Sequence, residues 1–373
     1  MDINKKIHLV SFNIPYPPNY GGIIDIYYKL FWLKKSGIKV NLHCYAYGRK
    51  ESEELKKICH KVHYYKRNSG IKYFFENTPY IIATRSDKAL LNNLQKDDYP
   101  IIFEGLHTTY FIQQLNPNRN IIIRTHNIEH SYYKYLGKQE TCIFKKKFFY
   151  TESFKLKKYE TILTNKYKIA AISESDNIYF NKNYKTSTYI PAFHMNNDIK
   201  CKIGIGEYLL YHGNLSVQEN INAIKFITNK IIHKLPYKLI IAGKDPNNKF
   251  KNYLQNISNV ELIENPTNEI LENLLINSQI NILPTFQDTG IKLKLLHALF
   301  LGRHCLVNNK MVEHTGLEEL CIINEKPDDF INSINLLMKT PFSEKYLIKR
   351  KNILTNKFSN RENINKLINL LKK

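Results

Sequence analysis

The sequence predicts an α/β protein built from two successive Rossmann-like domains, each with a parallel sheet. The first half of the 373-residue chain alternates short apolar runs with stretches of helical periodicity. The second half repeats this alternation after a break near residues 189–206, where Pro191 and a Gly-Ile-Gly step stand. Strand and helix joined by short turns are typical of βαβ units, whose strands run parallel. The length also exceeds one ordinary core and suits two domains of roughly 150–200 residues.

In the first half, the apolar run at residues 7–12 predicts a buried strand. A helix is predicted over 23–35 because its apolar residues recur at helical spacing, and Gly37 ends it. A long charged helical region is predicted at about 131–164. Further strands are predicted at 38–46, 100–103, 120–124 and 168–172.

In the second half, the pair Ser216 and Glu219 has the spacing of a capping box at the start of a helix. Strands are predicted at 208–212, 238–242, 260–263, 280–283 and 305–307. Helices are predicted to start near Val217, Lys249, Asn268 and Ile291. We expect domains at 1–190 and 205–345, facing across a cleft, with helices at 346–373 packing back on the first domain. In such sheets, ligands bind at the carboxyl ends of strands.

Composition narrows the location of the protein. Apolar residues make up 43% of the chain, yet no stretch approaches the roughly 20 apolar residues of a membrane-spanning helix. We expect no secretion signal at the amino terminus and a cytoplasmic location. The six cysteines are scattered without a CxxC pair, which argues against a zinc site or disulfides and suits a reducing compartment.

The formal net charge of +22 has three explanations. A basic face can bind the phosphates of a nucleic acid, or it can contact an anionic membrane surface. The lysines can also be solvated residues of a biased composition. Lysines are densest at 145–158, where aromatic residues alternate with them, and this pattern favours a basic amphipathic helix on lipid headgroups. We therefore expect peripheral contact with the inner face of the membrane through this segment.

The segment 282–302 is the strongest candidate for binding chemistry. A strand ends at Pro284, a polar loop follows, and a helix begins near residue 291. The free amides of a helix amino terminus attract phosphates, and Gly290 allows close approach to the backbone. Lys292 and Lys294 add positive charge where a diphosphate leaving group would need it. Two lysines two positions apart point in different directions on a regular helix, and an ordinary loop with solvated lysines is the alternative.

This segment resembles the carboxy-terminal domain of GT-B glycosyltransferases, specifically the retaining family 4. In that family a strand ending in Pro precedes a loop, a Gly and a helix that ends in Leu-Glu-Ala-x-x-x-Gly; residues 296–302 read Leu-His-Ala-Leu-Phe-Leu-Gly. Residues 211–216 and 240–244 resemble the first two loops of the same domain. Residues 13–22 resemble the glycine-containing amino-terminal loop, and residues 124–130 resemble the loop whose first His contacts the donor sugar.

The resemblance implies the GT-B fold and transfer of a hexose from a UDP- or GDP-linked sugar, with retention and without a metal or a further cofactor. The acceptor would be a glycan or a lipid-linked glycan of polysaccharide biosynthesis. The catalytic residues are predicted to be His126, Lys292 and Lys294. The donor-binding residues are predicted to be Gly21, Gly22, Asn214, Lys244, Asp288, Thr289, Gly290 and His297. Glu104 and Glu129 are predicted to line the acceptor side of the cleft.

The chain departs from the family pattern at the charged positions. Two family Glu residues eight positions apart are Thr289 and His297 here, and the Arg and Lys after the first strand of the second domain are Asn214 and Glu219. Two alternatives therefore stay open: a GT-B relative that does not transfer sugar, such as a sugar-nucleotide epimerase or an inactive homologue, and a nucleic-acid-binding protein. His126 also has the alternative of an ordinary buried histidine, and Gly21-Gly22 that of a plain turn.

Overall fold

The computed structural model describes residues 6–184, 187–286 and 292–372. The chain divides into two compact units. The first unit comprises Met1–His194 together with Asn360–Lys373, and the second comprises Met195–Ser359. The chain therefore leaves the first unit once and returns to it at its end.

The first unit is built on a parallel sheet. Its strands in the described residues are β1 (Lys6–Ser11), β2 (Lys39–Ala46), β3 (Lys61–Lys66), β4 (Ile101–Glu104), β5 (Ile121–Thr125), β6 (Lys168–Ala171) and β7 (Ser187–Tyr189). They lie in the order β3-β2-β1-β4-β5-β6-β7, and each pairing is parallel. The four predicted strands after the first are confirmed to within one or two residues. β3 was not predicted because its sequence, Lys-Val-His-Tyr-Tyr-Lys, is polar and only half-buried.

Helices cover the faces of this sheet. They are α1 (Gly21–Lys35), α2 (Glu53–Ile58), α3 (Tyr80–Ala83), α4 (Lys88–Leu94), α5 (Glu129–Gln139), α6 (Ile143–Thr164) and α7 (Glu174–Tyr184). The predicted helical region at 131–164 is thus two helices. The break lies at residues 140–142, where the Glu140 carboxylate accepts a hydrogen bond from the Cys142 amide at 2.9 Å. This contact closes a turn before Cys142, the N-cap residue of α6, whose own side chain makes no capping hydrogen bond.

The second unit has the same architecture. Its strands in the described residues are β8 (Leu209–Asn214), β9 (Leu239–Lys244), β10 (Val260–Glu264), β11 (Ile280–Ile282), β12 (His304–Val307) and β13 (Ile322–Ile323), parallel and in the order β10-β9-β8-β11-β12-β13. Its helices are α8 (Gln218–Lys230), α9 (Asn248–Gln255), α10 (Asn268–Asn277), α11 (Leu293–Leu301), α12 (Asn309–Val312), α13 (Pro327–Leu337) and α14 (Glu344–Lys357). In the part of the chain that is described, every helix is too short or too polar to cross a bilayer.

The last helix, α15 (Asn360–Lys372), belongs to the first unit. It packs on α1, and its Ile364, Leu367 and Leu371 are buried in the same apolar core as the inner face of α1. Residues 346–373 were expected to pack on the first domain as one group. The structure divides that segment, because α14 stays in the second unit and α15 alone returns.

Strand order reverses once in each sheet, between β1 and β4 in the first unit and between β8 and β11 in the second. At such a point the loops from the two central strands leave toward opposite faces of the sheet and open a crevice at the carboxyl edge. Each unit therefore has one topologically favoured place for a ligand.

Candidate functional site

A cluster of buried charges lies at the strand-order reversal of the first unit; we call it the first-unit cluster. Lys29 donates hydrogen bonds from Nζ to Glu104 Oε1 at 2.6 Å and to Asp25 Oδ2 at 2.9 Å. Arg124 pairs with the other oxygen of Asp25 at 3.0 Å, and His126 Nε2 lies 2.9 Å from Glu104 Oε2. All except His126 are fully buried, and His126 is 8% exposed.

The charges of this cluster balance one another. Burial alone would oppose ionisation of Asp25, but Arg124 and Lys29 hold the pKa of that carboxyl below its ordinary value. Two acidic side chains thus face a lysine and an arginine, which is the arrangement in which buried charges are tolerated. Removal of one partner would leave a buried charge uncompensated, so the loss of any member is costly. His126, the outermost member, is oriented by its contact with Glu104.

His126 presents its other ring nitrogen, Nδ1, to the start of α1. In the described residues this buried nitrogen has no hydrogen-bond partner. A Cβ placed on Gly22 would lie 3.5 Å from it and 2.9 Å from the Phe12 ring, so a larger residue than glycine would press on both rings. No side chain caps the amino terminus of α1, which begins at Gly21. An unpartnered imidazole nitrogen and uncapped helix amides therefore lie side by side, which suits a polar or anionic ligand.

The carboxylates of Asp25 and Glu104 and the ring of His126 are also close enough to be considered as metal ligands, with donor atoms within 4.8 Å of one another. The Lys29 ammonium already occupies the space between the two carboxylates. A divalent cation there would have to displace it and would meet Arg124 as well. The donor set therefore does not fit a metal site.

A second polar pair lies beside this cluster. Glu129 begins α5 and is buried, and its Oε1 lies 3.9 Å from His107 Nδ1. Neither atom makes a hydrogen bond in the described part of the chain. Burial, with added repulsion from Glu160 and Asp176, raises the pKa of Glu129 to about 8. Desolvation, with repulsion from Arg85 and His126, lowers the pKa of His107 well below its ordinary value. At neutral pH the pair is thus an uncharged acid beside an uncharged imidazole.

Of the two predicted acceptor-side carboxylates, the structure leaves Glu129 with an unsatisfied oxygen and gives Glu104 none. Glu104 is fully buried, and both of its oxygens are taken by Lys29 and His126. It therefore lies behind His126 as a positioning residue instead of at an open rim. The sequence alone did not show this, because the partner Lys29 is 75 positions away.

In the second unit, the first turns of two helices meet at the strand-order reversal; we call this the second-unit cluster. Lys294, in the first turn of α11, donates from Nζ to Asn220 Oδ1 at 2.8 Å and to the Tyr211 hydroxyl at 3.2 Å. Asn220 lies in the first turn of α8, and Tyr211 lies on β8. Thr285, after β11, donates its hydroxyl to Glu219. The amino termini of α8 and α11 are therefore held together by side chains.

Lys294 is largely enclosed by these contacts. Burial lowers its pKa to about 8; Glu219 opposes the shift and Lys292 adds to it. The ammonium is therefore charged at neutral pH but loses its proton far more easily than an exposed lysine. Such a lowered pKa at a cluster of helix amino termini is characteristic of functional sites.

The capping box predicted for α8 is wrong. The helix is capped at Val217 without a side-chain hydrogen bond. Ser216 instead donates its hydroxyl to Asn214 Oδ1 at 2.7 Å, and Glu219 is engaged by Thr285. Tertiary partners have thus replaced the local ones.

The remaining predicted donor-binding residues take three positions. Asn214 ends β8, and its Oδ1 closes a turn with Ser216. Lys244 ends the neighbouring strand β9 and is exposed. His297 is buried one turn after Lys294, with its ring 6.0 Å from that of His212.

Local backbone packing explains why these strand ends approach closely. A Cβ on Gly243 would lie 2.2 Å from the Gly213 carbonyl oxygen, so only glycine fits there.

Lys292 is the residue that precedes α11, at its amino-terminal cap. Asp288, Thr289 and Gly290, which were predicted to contact the donor, lie outside the described residues.

Sequence reasoning missed the residues that support these positions. Asp25 and Lys29 are four apart on α1 and fall on its buried face beside Ile26 and Leu33. Opposite charges at that spacing within an apolar stripe are the signal that would have identified them. Tyr211 and Asn220 had no comparable signal, because their partner Lys294 is more than 70 positions away.

Comparison with known proteins relates part of the chain to a protein family. Residues 206–340 match the family model described as glycosyl transferases group 1. The match lies within the second unit, which therefore resembles a group 1 glycosyltransferase domain. The protein is accordingly a glycosyltransferase, and the two parallel sheets confirm the predicted GT-B fold.

A relative in Klebsiella pneumoniae is 27% identical over 343 residues, covering 86% of this chain and 88% of its own length; its name is "Uncharacterized 44.6 kDa protein in cps region". Solved structures share the fold over nearly the whole chain. TarM of S. aureus, in complex with UDP, has a TM-score of 0.68 at 11% identity and covers 99% of this chain and 100% of its own. HepE of Anabaena, in complex with UDP and glucose, has a TM-score of 0.62 at 10% identity, with coverages of 98% and 99%. At such identities the likeness shows the fold alone.

Proposed function

We propose that this glycosyltransferase moves a hexose from a UDP- or GDP-linked sugar to a hydroxyl acceptor, with retention at the anomeric carbon. The observation that carries the proposal is the second-unit cluster, in which the first turns of α8 and α11 meet around Lys294. The difficult step in such a transfer is departure of the nucleoside diphosphate, which accumulates negative charge. Helix amino termini and a lysine are groups that stabilise that charge without a metal.

Lys294 is proposed to act on the diphosphate, with Lys292 at the cap of the same helix adding positive charge. Lys294 is held by Asn220 and Tyr211, so its position is set before a ligand arrives. Preorganised charge stabilises a transition state without the cost of reorganisation. The diphosphates of UDP in TarM and HepE support this class of donor, since both proteins share the fold.

His126 is proposed to position the donor sugar. Its Nε2 is fixed by Glu104, and its Nδ1 is the unsatisfied polar atom next to the start of α1. A sugar hydroxyl can both donate and accept, so it can satisfy that nitrogen in either tautomer. Gly21 and Gly22 would leave room for such a ligand at the helix start, and Glu129 with His107 is proposed to bind an acceptor hydroxyl.

The acceptor is proposed to be a glycan or a lipid-linked glycan in polysaccharide biosynthesis, and the name of the Klebsiella relative places that protein in a cps region. We further propose a cytoplasmic location, with peripheral contact to the inner face of the membrane as the lysine-rich segment 145–158 predicts.

A panel of UDP-, GDP- and ADP-linked sugars tests the proposal by thermal shift, because a ligand that binds the native state raises the melting temperature. The nucleotide that binds is then used in a transfer assay with glycan acceptors, and the anomeric configuration of the product is read by NMR. Release of free nucleotide without transfer, or epimerisation of the donor, would identify a non-transferring relative instead. Absence of binding by every nucleotide sugar would overturn the proposal.

A further inference from the structure

The outward face of α6 is apolar and basic. Phe144 is 83% exposed and Phe154 is 74% exposed, although both are large apolar residues. They belong to a set of exposed residues spaced three or four positions apart, which places the set on one face of the helix. We call this set the α6 stripe: Phe144, Lys147, Thr151, Phe154, Lys158 and Ile162. The opposite face is buried through residues such as Leu156 and Leu163.

The solvent-facing side of α6 carries positive charge only. The two acidic residues of the helix, Glu152 and Glu160, are both buried. Glu152 accepts a hydrogen bond from the Tyr80 amide and pairs with Lys155 at 3.0 Å. Glu160 accepts from the Tyr179 hydroxyl at 2.9 Å and pairs with His130. Within α6, Lys147 and Lys158 therefore have no carboxylate three or four positions away to neutralise them, and Lys145 and Lys146 are exposed at the start of the helix.

The 71–75 loop extends this surface beside α6. Phe74 packs its ring 5.1 Å from that of Phe148, and its carbonyl accepts a hydrogen bond from Lys155 at 2.9 Å. Ile71 and Phe75 then stay exposed, at 73% and 83%. The loop contains one lysine, Lys72, and its last residue is followed by the acidic Glu76. It therefore contributes apolar area more than charge.

We infer that the α6 stripe and the 71–75 loop form a surface that binds bilayers containing anionic lipid headgroups. Phenylalanine and isoleucine side chains enter the boundary between headgroups and acyl chains, and the lysines contact the lipid phosphates. The aliphatic members favour lipid over a single-stranded nucleic acid, since Ile71 and Ile162 cannot stack on bases as aromatic residues do. The surface is also the convex side of a helix, whereas a helix-binding protein partner would need to supply a groove.

The inference deepens the proposed function and rests on it in one respect: a lipid-linked acceptor would be met at this surface. Lipid binding itself depends only on the exposed residues named above. Nucleotide-sugar binding and vesicle binding are consequently measured on the same variants, so that either proposal can fail alone.

The test is co-sedimentation of the full chain with large vesicles of phosphatidylcholine alone, or with phosphatidylglycerol added. We expect binding to require the anionic lipid and to weaken with salt. The double variant K147Q/K158Q should bind anionic vesicles about 25-fold more weakly, since each lysine near such a surface contributes about fivefold. The variant F144S/F154S should lose about tenfold or more on the same vesicles, because insertion of apolar area is removed.

The matched control is L336S/K249Q, which removes an exposed leucine and an exposed lysine of the second unit and should bind vesicles like the parent chain. All three variants change exposed side chains, so equal melting temperatures and equal nucleotide binding should confirm intact folding. Binding that is equal with and without phosphatidylglycerol would overturn the inference. So would stripe variants that bind as well as the control, or an oligonucleotide that binds through the stripe while vesicles do not.

Discussion

Raising the pH through 8 should weaken nucleotide binding, because Lys294 loses its proton in that range. Burial lowers the pKa of its ammonium to about 8, despite the opposing attraction of Glu219. A bound diphosphate favours the charged form and draws the proton back. At pH 9 about one free molecule in ten keeps Lys294 charged, so the Kd for UDP should rise about tenfold between pH 7 and pH 9.

Isothermal titration calorimetry in two buffers of different ionisation enthalpy measures both the Kd for UDP and the number of protons taken up on binding. At pH 8 about half a proton should be taken up for each UDP bound. The terminal phosphate of the ligand titrates near pH 6, so its charge is nearly constant above pH 7. K294R should bind with little pH dependence, because a guanidinium stays charged. K294Q should bind weakly at both pH values, and K249Q should behave like the parent chain.

Two results would refute this reasoning. One is a parent chain whose Kd for UDP is the same at pH 7 and pH 9. The other is a K294Q variant that keeps the tenfold change, since the titrating group would then lie elsewhere. Either result would remove Lys294 from the proposed diphosphate site while leaving the GT-B fold untouched.

Further predictions concern the buried polar groups. Replacement of Glu104 by Gln should lower the free energy of unfolding by about 3–5 kcal/mol in urea titrations, because Lys29 loses a carboxylate; E53Q in an exposed pair should cost under about 1 kcal/mol. Because the pKa of Glu129 is raised to about 8, its contribution to stability is fully present below pH 4.5 and is lost as the pH rises to about 8. E129Q should therefore be more stable than the parent at pH 9 by up to about 5 kcal/mol, measured by thermal and urea unfolding. A parent stability that does not fall over this range would contradict the prediction. G243A should destabilise by about 3 kcal/mol in the same urea titration, since its Cβ would overlap the Gly213 carbonyl, and an unchanged midpoint would show that the strand ends can separate.

The positions of most strands could be predicted from the local sequence pattern, whereas the first-unit cluster and the second-unit cluster could not. Apolar runs such as residues 280–283 need only their own composition to predict a buried strand, and β11 lies there. β3 escaped prediction because a half-buried edge strand carries polar residues on one face, and its alternation is short. The break between α5 and α6 coincides with a turn closed by Glu140, which composition does not reveal.

The candidate site was predictable only as far as strand ends and helix starts. His126 and Lys294 follow from their places after a strand and in the first turn of a helix. The roles of Glu104 and Glu219 required tertiary contacts with Lys29 and Thr285, whose sequence separations are 75 and 66. A single sequence carries no information on such pairs. The distribution of the +22 net charge also depended on tertiary structure. Both acidic residues of α6 are buried, so the charged side chains that this helix exposes to solvent are lysines.

The return of α15 to the first unit has a consequence for biosynthesis. A ribosome delivers the strands of the first unit before the helix that covers α1, and all of residues 195–359 are made in between. At ordinary rates of translation that delay is roughly 10–30 s. Throughout this time the apolar surface that Ile364, Leu367 and Leu371 later cover stays exposed to water or to a chaperone. A chain that lacked α15 would contain every residue of the second unit, yet the α1 face of its first unit would stay uncovered.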